Sequence, residues 1–401
     1  MNSLRNVYSK LEDFEKEAGG ASEDWWCDAS YDEFLKLKSN KVYNNEQIYD
    51  LSMINPDLPP HIFLLDKLLE ATMKKENHRY AVSRGIFKLR QAFSQKYKNA
   101  FNVALDPNCE ICATLASKDA VSSFLLANSK KGQRVLLPDP VYPAHLSAIR
   151  IAGLKPYFFK LGKDEAMLSE ISDIINKERI DFIFFNFPNN PTGQVASQEF
   201  YQGLYHIIKD KGIIVYNDFA YGEMLYNNAK CPSILSIPGF KNFAVESYTL
   251  SKAYNIPGWR VGAMMGNQDI IKRMTNIKSY LDYGLFLAIQ SAASSVLTST
   301  QDLVRDTLDI YDERLTYFCT ELSKLGWEVK KPSAGACVWA KLPMSLRTGD
   351  SYKIACQILN KVNVCATPGE VYSQTCKDCL RFAMVKPIDI LEKVIAALSN
   401  L

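Results

Sequence analysis

From about residue 110 onward, short apolar runs alternate with amphipathic stretches, and this rhythm constrains the fold more than any other feature of the chain. A strand covered by helices on both faces reads as a continuous apolar run, whereas the connecting helices carry apolar residues on one side only. EICATL is followed by SKDAVSSFLLANS, QRVLLPD by HLSAIRIAG, KPYFFKL by MLSEISDIINKER, and DFIFFNF by EFYQGLYHIIKDKG, a helix that Gly212 is expected to close. IIVYND and KNFAVESYTL continue the series as further buried strands. Such βα repeats predict an α/β fold, with a mainly parallel sheet sandwiched by helices in one large domain.

Beyond about residue 288 the pattern changes. One long helical segment, SAASSVLTSTQDLVRDTLDIYDERLTYFCTELSKLG, precedes short strands around WEVKKP, ACVWAKL and CLRFAMV, which predicts a smaller α+β domain. The expected division is residues 55–287 as the large ligand-binding domain, with 1–54 and 288–401 as an N-terminal arm and a small C-terminal domain. The first 50 residues are acidic and helix-prone, and Trp25 and Trp26 are expected to pack against the body or another subunit.

Forty-seven basic against forty-four acidic side chains leave a net +3 with no long run of either sign, so neither a nucleic-acid nor a membrane partner is expected and small molecules are. No apolar run reaches the roughly 18 residues of a spanning helix, and the charged start MNSLRNVYSKLEDFEKEAGG is unlike a signal peptide. A cytoplasmic protein with reduced thiols is the expectation for its ten cysteines. Cys109 with Cys112, and Cys376 with Cys379, have C-x-x-C spacing. Together they have the number of thiolates a structural zinc takes, but the pairs are far apart in the chain. The first also sits in a strand-like stretch, where this spacing does not aim both sulfurs one way, so no metal is expected. His61, His78, His145 and His206 fall in unrelated segments without ligand spacing and are read as structural or surface residues.

In open parallel sheets the chemistry gathers at the carboxyl ends of the strands. QRVLLPD leads to Tyr142, DFIFFNF to Asn190, IIVYN to Asp218 and Tyr221, and AVESYTL to Ser251, Lys252 and Arg260. Each has an ordinary reading alone: a solvated lysine, a capping aspartate, a tight N-N-P-T-G turn. Their occurrence in order, each after a strand, is what a pyridoxal phosphate site requires. Lys252 would supply the amine that condenses with the cofactor aldehyde and, once displaced by substrate, the base at the substrate Cα. Asp218 would keep the pyridine nitrogen protonated, Asn190 and Tyr221 would bond the ring oxygen, and Tyr142 would stack on the ring. Thr249, Ser251 and Arg260 suit the phosphate, together with the helix start at Ser117 and Lys118. The chain has no G-x-S-x-G elbow, Walker loop, H-E-x-x-H or G-x-G-x-x-G, so hydrolase, NTPase, zincin and dinucleotide readings lack their minimal signals.

RYAVSRGIFKLRQAF, TLASKDA, PDPVYP, NNPTG, DFAY, TLSKAYNIPGWRVG and LRFAMV together resemble the fold-type I, class I/II aminotransferases from roughly residue 40 to the C-terminus. NPDLPP and the Y-x-x-x-x-G-x-x-x-L-R form look most like the alanine-glutamate transaminase branch, with the LL-diaminopimelate aminotransferases as neighbours. The resemblance implies a homodimer in which Tyr80 reaches the cofactor phosphate of the partner subunit, and it makes Arg381 the clamp for the substrate α-carboxylate. It implies a ping-pong exchange between an α-amino acid and a 2-oxo acid, with alanine and 2-oxoglutarate as the first guess. Alternatives are LL-diaminopimelate or aspartate as substrate, a β-eliminating lyase of the same fold, and a non-enzymatic cofactor-binding regulator. Three departures stand on the substrate side or beside the phosphate: Ile54 replaces a glycine that lets backbone approach the substrate, Ala116 replaces the glycine of the phosphate loop, and Glu370 to Cys379 lacks the family's glycines.

Overall fold

The computed structural model describes residues 29–401, so Trp25 and Trp26 lie outside the described residues. The chain enters through the helix Ala29–Tyr43 and a two-residue strand, β1 (Tyr49–Asp50). Seven strands then form the large sheet: β2 (Ile111–Thr114), β3 (Arg134–Asp139), β4 (Lys155–Lys160), β5 (Phe182–Phe185), β6 (Ile214–Asp218), β7 (Ala244–Thr249) and β8 (Gly262–Gly266), in the order β2-β8-β7-β6-β5-β3-β4. The pairs β4/β3, β3/β5, β5/β6 and β6/β7 are parallel, and β8 runs antiparallel to both of its neighbours. The crossovers are the amphipathic stretches read from the sequence, including Ala116–Asn128, Pro143–Ile151, Asp164–Lys177 and Gln198–Ile208.

The alternation of the pleat explains why β5 is apolar throughout. Ile183 and Phe185 enter the core on one face of the sheet, while Phe182 and Phe184 enter the core on the other, and all four are fully buried. Each such phenyl ring contributes roughly 1.5–3 kcal/mol by leaving water.

Two expectations about helix ends need correction. The helix Gln198–Ile208 stops short of Gly212, which adopts φ 67° in the turn leading into β6. The long C-terminal segment is two helices, Leu287–Leu297 and Arg305–Lys324. The break falls on the polar run TSTQD, where Asp302 Oδ1 accepts the N–H groups of Val304 and Arg305 at 3.2 and 3.1 Å and starts the second helix. Hydroxyl and carboxylate side chains that bond nearby backbone compete with helix continuation, and periodicity alone does not register that competition.

Four more strands, β9 (Glu328–Val329), β10 (Cys337–Lys341), β12 (Thr367–Pro368) and β13 (Cys379–Ala383), make an antiparallel sheet in the order β12-β13-β10-β9, and β11 (Val364–Cys365) pairs in parallel with β1. Arg314 of the Arg305–Lys324 helix holds the entering chain by a two-pronged bond to Asp57, at 2.7 and 2.9 Å. No helix among the described residues is long and apolar enough to cross a membrane.

Candidate active site

One cleft at the carboxyl ends of β6 and β7 is lined by Ser117, Lys118, Tyr142, Asn190, Asp218, Tyr221, Thr249, Ser251, Lys252 and Arg260. Five separate stretches of sequence therefore converge on a single site. Asp218 ends β6 and is buried, a position that β6 reaches because its apolar run lies between β5 and β7. Its carboxylate is fully engaged. Oδ1 accepts the Ala220 N–H at 3.2 Å and the Ser247 hydroxyl at 3.3 Å, and Oδ2 lies 3.0 Å from Nε2 of His145.

His145 corrects the sequence reading, which set it aside with the other histidines. It is buried in the first turn of the helix Pro143–Ile151, three residues after Tyr142, and helical spacing turns its ring toward the same cleft. That proximity to Tyr142 was the available signal. The other three histidines lie elsewhere: His61 caps the helix Ile62–Thr72 through the Phe63 N–H, His78 bonds the Thr72 carbonyl, and the His206 ring packs on Tyr205.

Asn186 was also missed. Its Nδ2 donates to the Asp218 carbonyl at 3.0 Å and its Oδ1 accepts the Asn190 N–H at 2.9 Å, so one amide ties two strand-end loops together. No spacing marks it apart from its place at the end of an apolar run.

Lys252 follows β7, and its amine donates to the Ile54 carbonyl at 2.6 Å. Burial, reinforced by the guanidinium charges of Arg381 and Arg260, pushes its pKa down to about 8. An amine so poised has a neutral, nucleophilic and basic fraction of roughly a fifth near physiological pH, far above that of an ordinary lysine. The Ile54 side chain is buried in the core, so the branched residue still presents backbone to the cleft.

At the opposite side of the cleft the helix Ala116–Asn128 begins with Ala116 at φ 63°, a left-handed conformation that costs a residue bearing Cβ roughly 1–2 kcal/mol. The first backbone N–H groups of a helix have no partner within it and point outward from its start. Beside it the Ser117 hydroxyl is buried without a partner. Thr249 Oγ1 and Ser251 Oγ stand 2.9 Å apart, and Arg260 reaches across to the Leu115 carbonyl at 3.2 Å. An orphaned hydroxyl, a helix start and a guanidinium make a seat for a phosphate-like anion.

Arg381, on β13, borders the cleft through Asn190, whose Oδ1 it meets at 3.3 Å. It also donates to the Ser52 carbonyl and to Thr367 Oγ1, its Nε has no partner, and the Tyr372 ring lies 5.3 Å from the guanidinium carbon. These hydrogen-bond partners are neutral, and a buried cation held that way favours an anionic ligand. Tyr372, which no motif announced, comes from the segment lacking the family glycines. Its carbonyl accepts the Val141 N–H at 3.0 Å, which locks the segment onto the loop before Tyr142.

Tyr80 is not brought into this cleft. It is 84% exposed with its ring 4.7 Å from that of Tyr283. No group of three or more His, Cys, Asp or Glu is placed to hold a metal among the described residues, and their cysteines are unpaired.

The strand ends of an α/β sheet thus bring a low-pKa lysine, a buried aspartate and a partnerless hydroxyl at a helix start into one cleft, the layout of an α/β enzyme. The family model for aminotransferase class I and II matches residues 46–398, and the chain belongs to that family. It is 35% identical to the glutamate-pyruvate aminotransferase AlaC of Escherichia coli, over 90% of this chain and 88% of that protein. It is 34% identical to the LL-diaminopimelate aminotransferase of Moorella thermoacetica, over 88% and 90%. Among solved structures, apo-BacF from Bacillus subtilis superposes with a TM-score of 0.86 at 28% identity, covering 94% of this chain and 96% of that one.

Proposed function

We propose that the cleft binds pyridoxal 5'-phosphate and exchanges an amino group between an α-amino acid and a 2-oxo acid by a ping-pong cycle, with alanine and glutamate as the first amino donors to test. The observation that carries this reading is the pairing, in one cleft, of a lysine with a pKa near 8 and a buried aspartate held by three donors. The orphaned Ser117 hydroxyl at a helix N-terminus fits the phosphate. When bound, the cofactor supplies an electron sink for the carbanion left by deprotonation at Cα.

The residues divide the remaining work. Lys252 would hold the cofactor covalently and then carry the Cα proton on Nζ. Asp218 would pair with the ring nitrogen, Asn190 and Tyr221 would bond the ring oxygen, and Tyr142 would cover one ring face. Ser117, Lys118, Thr249, Ser251 and Arg260 hold the phosphate. Arg381 grips the substrate α-carboxylate with its planar fork. The similarity to AlaC and to LL-diaminopimelate aminotransferases supports the reaction class and names the substrates to compare.

The active unit is a homodimer. Tyr80 and Tyr283 are exposed on the single chain with their rings 4.7 Å apart, and Met73, Tyr280 and Leu281 are exposed as well, which supports a surface covered by another subunit. A second copy is the occupant that the family resemblance implies, with the partner subunit's Tyr80 reaching the phosphate. Residues 55–287 form the large domain, and 1–54 with 288–401 the arm and small domain. A cytoplasmic location suits the free cysteines.

Borohydride reduction of the purified protein incubated with pyridoxal phosphate, followed by peptide mapping, is expected to place the pyridoxyl label on Lys252. A label elsewhere, or none, refutes the assignment. A panel of amino acids added without acceptor then identifies the donor by loss of the lysine-bound cofactor absorbance. Sedimentation is expected to give a dimer.

A further inference from the structure

We infer that Ser247 is a positioning residue for the reaction: it relays the hydroxyl of Tyr216 onto Asp218 and so fixes the orientation of the carboxylate that faces the cofactor ring nitrogen. This rests on the pyridoxal phosphate reading above.

The geometry begins with strand register. Asp218 on β6 is paired directly with Ser247 on the parallel neighbour β7, and Tyr216 lies two residues before Asp218, on the same face of β6. All three side chains are buried. Ser247 Oγ lies 2.9 Å from the Tyr216 hydroxyl and 3.3 Å from Asp218 Oδ1.

Proton accounting gives the chain one direction. An ionised carboxylate only accepts, and a serine hydroxyl has a single proton to give. The Ser247 proton therefore points at Asp218, and Tyr216 donates to the Ser247 lone pair. The Tyr216 ring cannot swing away, because it stacks on Phe184 at 4.7 Å and meets the His145 ring edge-on at 5.9 Å. Two buried hydroxyls thus form an ordered series ending on a charge, the arrangement in which successive hydrogen bonds polarise one another. His145 takes the other carboxylate oxygen. With one oxygen held from each side, Asp218 has lost the freedom to rotate about its terminal torsion, and its orientation is set before the cofactor arrives.

The test is an equilibrium one. Dissociation constants for pyridoxal phosphate are measured by quenching of tryptophan fluorescence, for the wild type and for S247A, S247T, S247C, Y216F and the S247A/Y216F pair. Removing the hydroxyl in S247A is expected to weaken binding about tenfold, the loss of one hydrogen bond to a charged group. S247T, which keeps the hydroxyl, is expected to stay within about threefold of the wild type. Y216F is expected to weaken binding about threefold alone and to add nothing in the S247A background, because it acts only through Ser247. S247C, close to serine in shape but a weak donor, stands in if S247A does not fold. Unchanged binding in S247A and S247C, failure of S247T to rescue, or additive effects of the two changes would overturn the relay. Wild-type protein that binds no pyridoxal phosphate would overturn the cofactor reading and the relay with it, whereas wild-type binding with unresponsive variants sinks the relay alone.

Discussion

His145 Nε2 and Asp218 Oδ2 stand 3.0 Å apart, both side chains buried, one on the helix Pro143–Ile151 that follows β3 and the other at the end of β6, two strands that β5 separates in the sheet. The imidazole is a hydrogen-bond partner that the carboxylate does not replace with water. His145→Leu is expected to cost about 1–3 kcal/mol of stability, the penalty for a buried polar group left without a partner. His145→Gln, which retains a donor, is expected to cost less. Urea unfolding of the two variants checks the order, and a leucine variant as stable as the wild type would contradict it.

Lys252 sets the pH at which the protein takes up its cofactor. Its pKa is pushed from the ordinary lysine value down to about 8, so its neutral, nucleophilic fraction grows through pH 8 rather than above pH 10. The rate at which apoprotein forms the borohydride-trappable adduct is expected to rise between about pH 7 and 9 and then level off. A rise that continues toward the pKa of free lysine would show that burial and the neighbouring guanidinium groups do not act on this amine.

Arg381 is held by neutral partners and a tyrosine ring, ready for a carboxylate. Arg381→Leu is expected to lower kcat/KM about a hundredfold, mostly through KM, and equally for all amino acids, because the α-carboxylate is common to them. Arg381→Lys is expected to recover little, since an ammonium does not reproduce the planar fork. A change confined to one amino acid would reassign Arg381 to side-chain selection.

Glu246 provides a pH test independent of catalysis. It is fully buried on β7, accepting from Tyr97 at 2.9 Å, Ser233 at 2.6 Å, Asn217 at 2.9 Å and the Ile234 N–H at 3.1 Å, and burial raises its pKa despite these bonds. Above the ordinary glutamate pKa the folded protein therefore binds more protons at this site than the unfolded chain, so its contribution to stability falls as pH rises through that window. Glu246→Gln removes the slope. The stability advantage of wild type over variant is expected to shrink as pH is raised from about 4.5. Urea midpoints of the pair that move in parallel with pH would disprove the raised value.

Much of the architecture was legible because it is written in consecutive residues. The apolar runs that became β2 to β7 and the amphipathic stretches between them need only a few neighbours to state their periodicity. The strand-end rule then marked Tyr142, Asn190, Asp218, Tyr221, Lys252 and Arg260, which the fold does gather in one cleft. Reading failed where the deciding interaction crosses the sheet. His145, Asn186 and Ser247 carry no motif, and each touches Asp218 from a different segment. The break at 298–304 was hidden for a related reason, since its polar run is short against a long helical pattern.

The order of residues along the chain therefore settled the strands β2 to β7, the helical stretches between them and the chemical groups at the strand ends, because backbone preference and amphipathic period are local properties. Only the folded arrangement decided which of those groups touch, how Asp218 is oriented, and how far the Lys252 pKa falls. Those outcomes depend on burial and on distances between side chains far apart in sequence, and these come into being only when the sheet is assembled.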